Sequence, residues 1–282
     1  MRLQTRGPAV GPCNLCGTVG PLTCDHIPPK GVPRVGQAEL VDLAAFLRGE
    51  RMSKTNRHFP TGVNYRSVCA RCNNVLLGAR YDPELIAFTR TVDQVARNRV
   101  FLPIEVTVRP NRLARSVVGH LMAHGLGLYG SGDVFHDFNQ YFVDESAVLA
   151  DDYRMYCWLY PYNDQFVAQC IAHMTDLGAR FALHSVLKFY PVAFTLVHEG
   201  EVDRDSGLVR LDHLLSSEID ATAVIHLPVT GLPPKRWPEA PGDDGMVMHT
   251  PLSVGALRRK KHRRDSGQII PRRQVTVAVR GA

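Results

Sequence analysis

The chain of 282 residues has no run of about 18 apolar residues, the stretch a helix needs to cross a bilayer, so no membrane span is expected. Residues 1–11 lack the apolar core of a signal peptide, and the two absences together set the expectation of a cytoplasmic protein. No internal repeat is evident, and helical periodicity is nearly absent before residue 40. Acidic residues are scarce at both ends: residues 1–80 hold 4 Asp/Glu against 11 Lys/Arg, and residues 251–282 hold 1 against 9. The acid is concentrated in residues 131–250, with 18 Asp/Glu and 7 Lys/Arg. The formal net charge of +6 therefore hides two basic ends around an acidic middle. Basic surfaces attract phosphate backbones by counterion release and acidic ones repel them. Nucleic acid is thus expected at the ends of the chain rather than at its centre.

Seven cysteines are an odd number. Four of them form two short pairs, Cys13-x-x-Cys16 and Cys69-x-x-Cys72. Four thiolates at this spacing make a closed tetrahedral site for structural Zn²⁺, which holds together a module whose own core is small. Cys24, Cys157 and Cys170 are left over, most simply as free thiols of a reducing compartment. The 52 residues between Cys16 and Cys69 are more than a zinc ribbon requires. Within that gap lies Asp25-His26-Ile27-Pro28-Pro29; Asn64 stands five residues before the second pair, and Asn73 and Asn74 directly follow it. A ribbon needs only the cysteines. The Asp-His and the asparagines are the residue types that a metal-dependent phosphodiesterase needs.

This ordered set resembles the HNH endonucleases over roughly residues 11–80. In that family the first histidine follows an aspartate and precedes Ile/Val-x-Pro, which Asp25-His26-Ile27-Pro28-Pro29 matches. The central asparagine precedes a CxxC pair by five residues, as Asn64 precedes Cys69. The third position, His or Asn, directly follows the pair, as Asn73 does. The resemblance implies a ββα-metal fold and hydrolysis of DNA phosphodiester bonds, duplex DNA first, leaving 5′-phosphate and 3′-hydroxyl ends. It implies His26 as general base, since a neutral imidazole has a pKa near the working pH. It implies Asp25 and Asn73 as ligands of a catalytic Mg²⁺ or Mn²⁺, which stabilises charge on the phosphorane and the leaving oxygen, and Asn64 as the residue that holds the His26 loop. On an extended strand Asp25 points away from His26; at a turn it sits across from it. Such modules serve restriction, phage defence, packaging and mobile elements, and phage defence or restriction is the setting expected here.

Two features depart from the family pattern. The gap from His26 to Asn64 is long, so residues 30–62 read as an insertion, whose Arg48, Arg51, Lys54, Arg57 and His58 either contact DNA, the reading preferred, or belong to a solvated loop. The third position is Asn rather than His, followed by the apolar Val75-Leu76-Leu77. Two other readings stay open: a catalytically inert zinc module that binds nucleic acid or protein, and a nuclease that cuts RNA.

Beyond residue 80 no family is evident. A short helix is expected over residues 40–47 and a polar loop over 51–62. Asp82-Pro83-Glu84 opens a helix with Pro at its first position, continued by Leu85, Phe88, Val92 and Val95. A second helix starts at Asn111, with stripes Leu113/Val117/Leu121 and Ala114/Val118/Met122, and stops at Gly125. A strand is expected over 100–108. Strands then follow over 154–160, 165–173, 180–190, 192–198 and 222–227. With no helices between them, they predict an antiparallel sheet. Phe181, Leu183, Leu187 and Phe189 alternate with His184, Lys188 and Tyr190, which is strand patterning. Five prolines between residues 228 and 241 make a stiff connector, and a basic run over 258–264 opens a tail. His173, His184 and His198 read as ordinary sheet residues, and Trp158 and Trp237 as packing. The expectation is an α+β protein with an HNH module (1–80), an α+β domain of unknown role (81–257) that offers a surface for a homodimer or a regulatory partner, and a basic tail (258–282).

Overall fold

Pro28-Pro29 ends the first long strand, because proline lacks the N–H that the ladder needs. That strand, β2 (Val19–Ile27), pairs antiparallel with β1 (Val10–Pro12) on one side and β5 (Val63–Cys69) on the other. The computed structural model describes residues 4–33, 38–42, 58–59, 62–98, 103–129, 133–175, 180–198, 207–215, 218–240, 246–248 and 254–258, with Leu47 and Val202 besides. The protein is α+β, with its helices packed beside antiparallel sheets.

The helical chain starts eleven residues earlier than Asp82. A wide π-helix, Arg71–Tyr81, follows β5 and runs into α1 (Asp82–Arg97). Its buried residues, Cys72, Leu77 and Tyr81, recur at spacings of five and four, wider than the α period by which a helix is read from sequence. Helix α1 buries Leu85, Phe88 and Val92, and its Glu84 accepts from the backbone N–H (2.9 Å) and the guanidinium (3.0 Å) of Arg109. Helix α2 (Pro110–Ala123) also has Pro in its first turn, and all its residues but Arg112 are buried. It is the central rod of the molecule, enclosed by α1, α3 (Asp133–Val143) and the sheets. It stops at Ala123, followed by Gly125 at φ 90°, a left-handed conformation that glycine adopts without strain.

The meander expected over 154–198 is present as β7 (Tyr153–Leu159), β8 (Gln165–Thr175), β9 (Arg180–Phe189) and β10 (Val192–His198). The large sheet is antiparallel throughout, in the order β11-β7-β10-β9-β8-β14-β3-β4, with β13 on the far end of β8. Here β3 is Ala38–Asp42, β4 His58–Phe59, β11 Val209–Arg210, β13 Met246–Met248 and β14 Val254–Arg258. Strand β12 (Ala223–Leu227) pairs instead with β6 (Ile104–Val108) as a separate ribbon.

One expectation is corrected. Leu40 lies in strand β3, not in a helix, because residues 38–42 pair with β14; residues 43–46 lie outside the described set. The strand expected around His184 and Lys188 is present, and both side chains are buried, each 1% exposed. Lys188 Nζ donates to the carbonyls of Lys235 (2.9 Å) and Trp237 (3.1 Å) and pairs with Glu239. The proline-rich segment is thus docked on the sheet by a buried ion pair. The expected DNA-contacting Arg48, Arg51, Lys54 and Arg57, the side chain of His58, and the tail beyond Arg258 all lie outside the described residues.

Candidate functional site

The four cysteines converge. The Sγ atoms of Cys13, Cys16, Cys69 and Cys72 all lie within 4.8 Å of one another, so the group can hold a metal ion such as zinc. Two of the four, Cys13 and Cys72, are buried. The Cys72 thiol and the backbone N–H groups of Cys69, Cys16 and Leu15 hold the Cys13 thiol down to about 5 against the opposing pull of burial. Its hydrogen bond to Cys13, and burial, push the Cys72 thiol up. Four thiolates repel one another this way until a cation shared among them removes the penalty. Among the described residues the cysteines are free of disulfides, Cys24, Cys157 and Cys170 included.

The loop that carries Cys13 and Cys16 is tied to helices far along the chain. Asn14 Nδ2 donates to the carbonyls of Met122 (3.1 Å) and Gly125 (3.3 Å), and Asn14 Oδ1 accepts from Leu128 N–H (3.2 Å). Asn139 on α3 returns two bonds to the carbonyls of Asn14 and Leu15. Ser67 on β5 donates to the carbonyl of Ala123 at 2.6 Å.

Strand pleating decides how the Asp-His is presented. In β2, Asp25 and Ile27 are buried, His26 is half-buried and Cys24 is exposed. Asp25 and His26 therefore lie on opposite faces, which is the extended alternative of the two the sequence left open. His26 is the Cα partner of Asn64 on β5, and Asp25 that of Tyr65. Asn73, in the first turn of the π-helix, donates through Nδ2 to Thr23 Oγ1 (2.9 Å) and to the carbonyl of Cys24 (3.2 Å). Both bonds use its amide nitrogen, so its amide oxygen is the end left for a ligand. The helix start is thus pinned to the strand residue directly before Asp25-His26.

Burial lowers the His26 pKa below the usual histidine value, and nearby Lys30 and His120 add to this against the pull of Asp25. The imidazole is neutral at pH 7 and able to accept a proton. Arg66 stands two residues beyond Asn64 on the same strand, as the Cα partner of Cys24. Its side chain has no ion-pair partner among the described residues.

Asp25 faces the interior. Its Oδ2 lies 3.0 Å from His120 Nδ1; His120 Nε2 lies 3.0 Å from Asp82 Oδ1, and Ser116 Oγ donates to that same oxygen at 2.7 Å. Burial alone would push His120 down, but Asp82 and Asp25 outweigh it and hold its pKa up to about 10. This imidazolium between two carboxylates is not evident in the sequence, nor are Arg66 and Thr23. The available signal was the polar pair Ser116 and His120, four residues apart on a helix otherwise read as two apolar stripes.

Compared with known proteins, the chain matches no family model, no curated protein and no solved structure.

Proposed function

We propose that the chain is a metal-dependent endonuclease of HNH type that hydrolyses DNA phosphodiester bonds where β2, β5 and the π-helix meet. The observation that carries this reading is the pair of Asn73 bonds to Thr23 and Cys24. They pin Asn73 to the strand residues just before the Asp25-His26 step through its amide nitrogen, which leaves the amide oxygen as the end for a ligand. The resemblance over residues 11–80 supplies the order of these residues, and the strand register supplies their proximity.

In this reading Cys13, Cys16, Cys69 and Cys72 hold a structural Zn²⁺. The oxygen donors of Asp25 and Asn73 fit a hard cation, Mg²⁺ or Mn²⁺, which binds oxygen in preference to sulfur. Bound there, the cation supplies stabilisation for charge on the phosphate and the leaving oxygen. Neutral His26 takes the proton of the attacking water through an imidazole nitrogen. Asn64 holds the strand across from it, and Arg66 and Lys30 add positive charge for the phosphate backbone.

The test is supercoiled plasmid incubated with purified protein and Mg²⁺, Mn²⁺ or chelator, with a structured RNA in parallel. Metal-dependent nicking of the plasmid is expected. Cleavage of RNA alone would redirect the substrate. One observation favours a second reading: Asp25 is only 5% exposed and already bonded to His120, as an aspartate serving only as an anchor would be. Tight DNA binding with no cleavage in any of these metals would support that inert zinc module.

A further inference from the structure

His120 reaches the candidate site from 95 residues beyond Asp25. It is fully buried, with a carboxylate oxygen 3.0 Å from each ring nitrogen. Carboxylate oxygens at these distances accept, so both ring nitrogens must donate, and the ring has no freedom to flip or tautomerise. The far end is braced as well: Ser116, one turn before His120 on α2, donates to Asp82, and Asp82 sits where the π-helix passes into α1. For packing alone this is a costly design, since a buried ion pair seldom stabilises more than apolar residues of equal volume. What the chain does achieve is to occupy one oxygen of Asp25 and set the rotation of its carboxylate.

We propose that His120 is a positioning residue for Asp25, holding Oδ2 from behind so that the other carboxylate oxygen is presented to the divalent cation, with Asp82 and Ser116 as its backing. This rests on the reading of Asp25 as a cation ligand. Groups that hold a ligand in this way are typically worth about 10- to 100-fold in metal affinity.

The test measures Mn²⁺ binding to the zinc-loaded full chain at one neutral pH, through the spin-resonance signal of free Mn²⁺. His120→Asn places an amide nitrogen where Nδ1 was and keeps the donor to Asp25. His120→Gln places it where Nε2 was and loses that donor. The expected result is near wild-type affinity for His120→Asn and a loss of about 10- to 100-fold for His120→Gln. A purely structural role would lower the stability of both and separate neither in Mn²⁺ affinity. Asp25→Ala is measured alongside. If it leaves Mn²⁺ binding unchanged, the reading of Asp25 as a ligand fails and this inference fails with it. If it abolishes binding while His120→Gln binds like wild type, only the positioning role is overturned. A second measurement needs no variant: in the wild-type protein Mg²⁺ should shift the His120 Nδ1–H proton resonance, and a resonance that stays in place at saturating Mg²⁺ overturns the proposal.

Discussion

Single residues here are set apart by what surrounds their rings. His26 is half-buried, with its proton affinity lowered, which suits the general-base role proposed for it. His26→Ala should reduce plasmid nicking by at least about a hundredfold while zinc content and the unfolding midpoint stay at wild-type values. Nicking at the wild-type rate would remove His26 from the chemistry. His124 is the opposite case. It lies edge-on to Tyr65 at 5.0 Å, with neither ring nitrogen partnered among the described residues, and burial pushes its pKa down to about 3. Its unfolded value is higher, near 6.5, so the unfolded state binds the extra proton first. The stability tied to neutral His124 is complete above pH 6.5 and is lost as pH falls toward 3. His124→Phe should therefore gain on wild type by about 2 kcal/mol between pH 7 and pH 5, read from denaturant midpoints at the two pH values. A gap that does not change with pH would show that His124 is reached by solvent.

At the scale of elements, the site depends on how three segments dock. Strands β2 and β5 fix His26 against Asn64 by register, and the π-helix is fixed to β2 by Asn73. The loop between Cys13 and Cys16 is held by Asn14, which is 0% exposed and makes three hydrogen bonds to the backbone just past α2 or at its end. Asn14→Ala leaves two carbonyls and an N–H buried without that partner. It should cost about 3 kcal/mol, since each such orphan costs about 1–3 kcal/mol before relaxation, measurable as a shift of the urea midpoint. An unshifted midpoint would mean that the loop is held without the Asn14 side chain, as by the Asn139 bonds to its backbone. Helix α1 was legible because Asp82-Pro83-Glu84 and the apolar spacing agree. The π-helix before it was not, because its buried residues recur at a wider period. The alternation around His184 and Lys188 marked a strand, but it does not carry the cover that residues 235–239 place over Lys188.

The whole molecule is knitted from both ends of its described chain. Strand β14 lies between β8 and β3, so residues 38–42, 165–175 and 254–258 share one sheet. One cluster of buried residues runs from Cys13 through α1, α2 and the sheet to Leu227. A metal ion held by the four cysteines would therefore brace a core shared with the helices. Elemental analysis should find one Zn²⁺ per chain, and X-ray absorption should find it bound to four sulfurs. Cys69→Ser should lower the midpoint of one cooperative unfolding transition, whereas a separate early transition confined to the N-terminal strands would mean that they fold alone. The basic tail must be cut beyond Arg258, because that residue ends β14. Removing residues 259–282 deletes eight Lys/Arg and one Asp. If the tail grips duplex DNA, the slope of log K against log salt should flatten by about two to five, at roughly 0.9 for each phosphate no longer neutralised. An unchanged slope would remove the tail from DNA binding, and tighter binding after truncation would mark it as an inhibitor docked on the acidic middle.

The sequence by itself determined what depends on short-range order. CxxC spacing, an Asp25-His26 step followed by two prolines, asparagines at fixed offsets from a cysteine pair, and α and β periods long enough to count are all readable within a few residues. It determined the α+β class for the same reason, since local periodicity and the lack of helices between successive strands settle that much. What only the tertiary structure decided are the relations that a one-dimensional pattern does not carry. These are the face of β2 on which Asp25 lies, the His120 that meets it from a distant helix, and the insertion and C-terminal strands that close one sheet. Side-chain chemistry is written residue by residue, but burial and pairing are properties of surfaces, and those surfaces exist only once distant segments have docked.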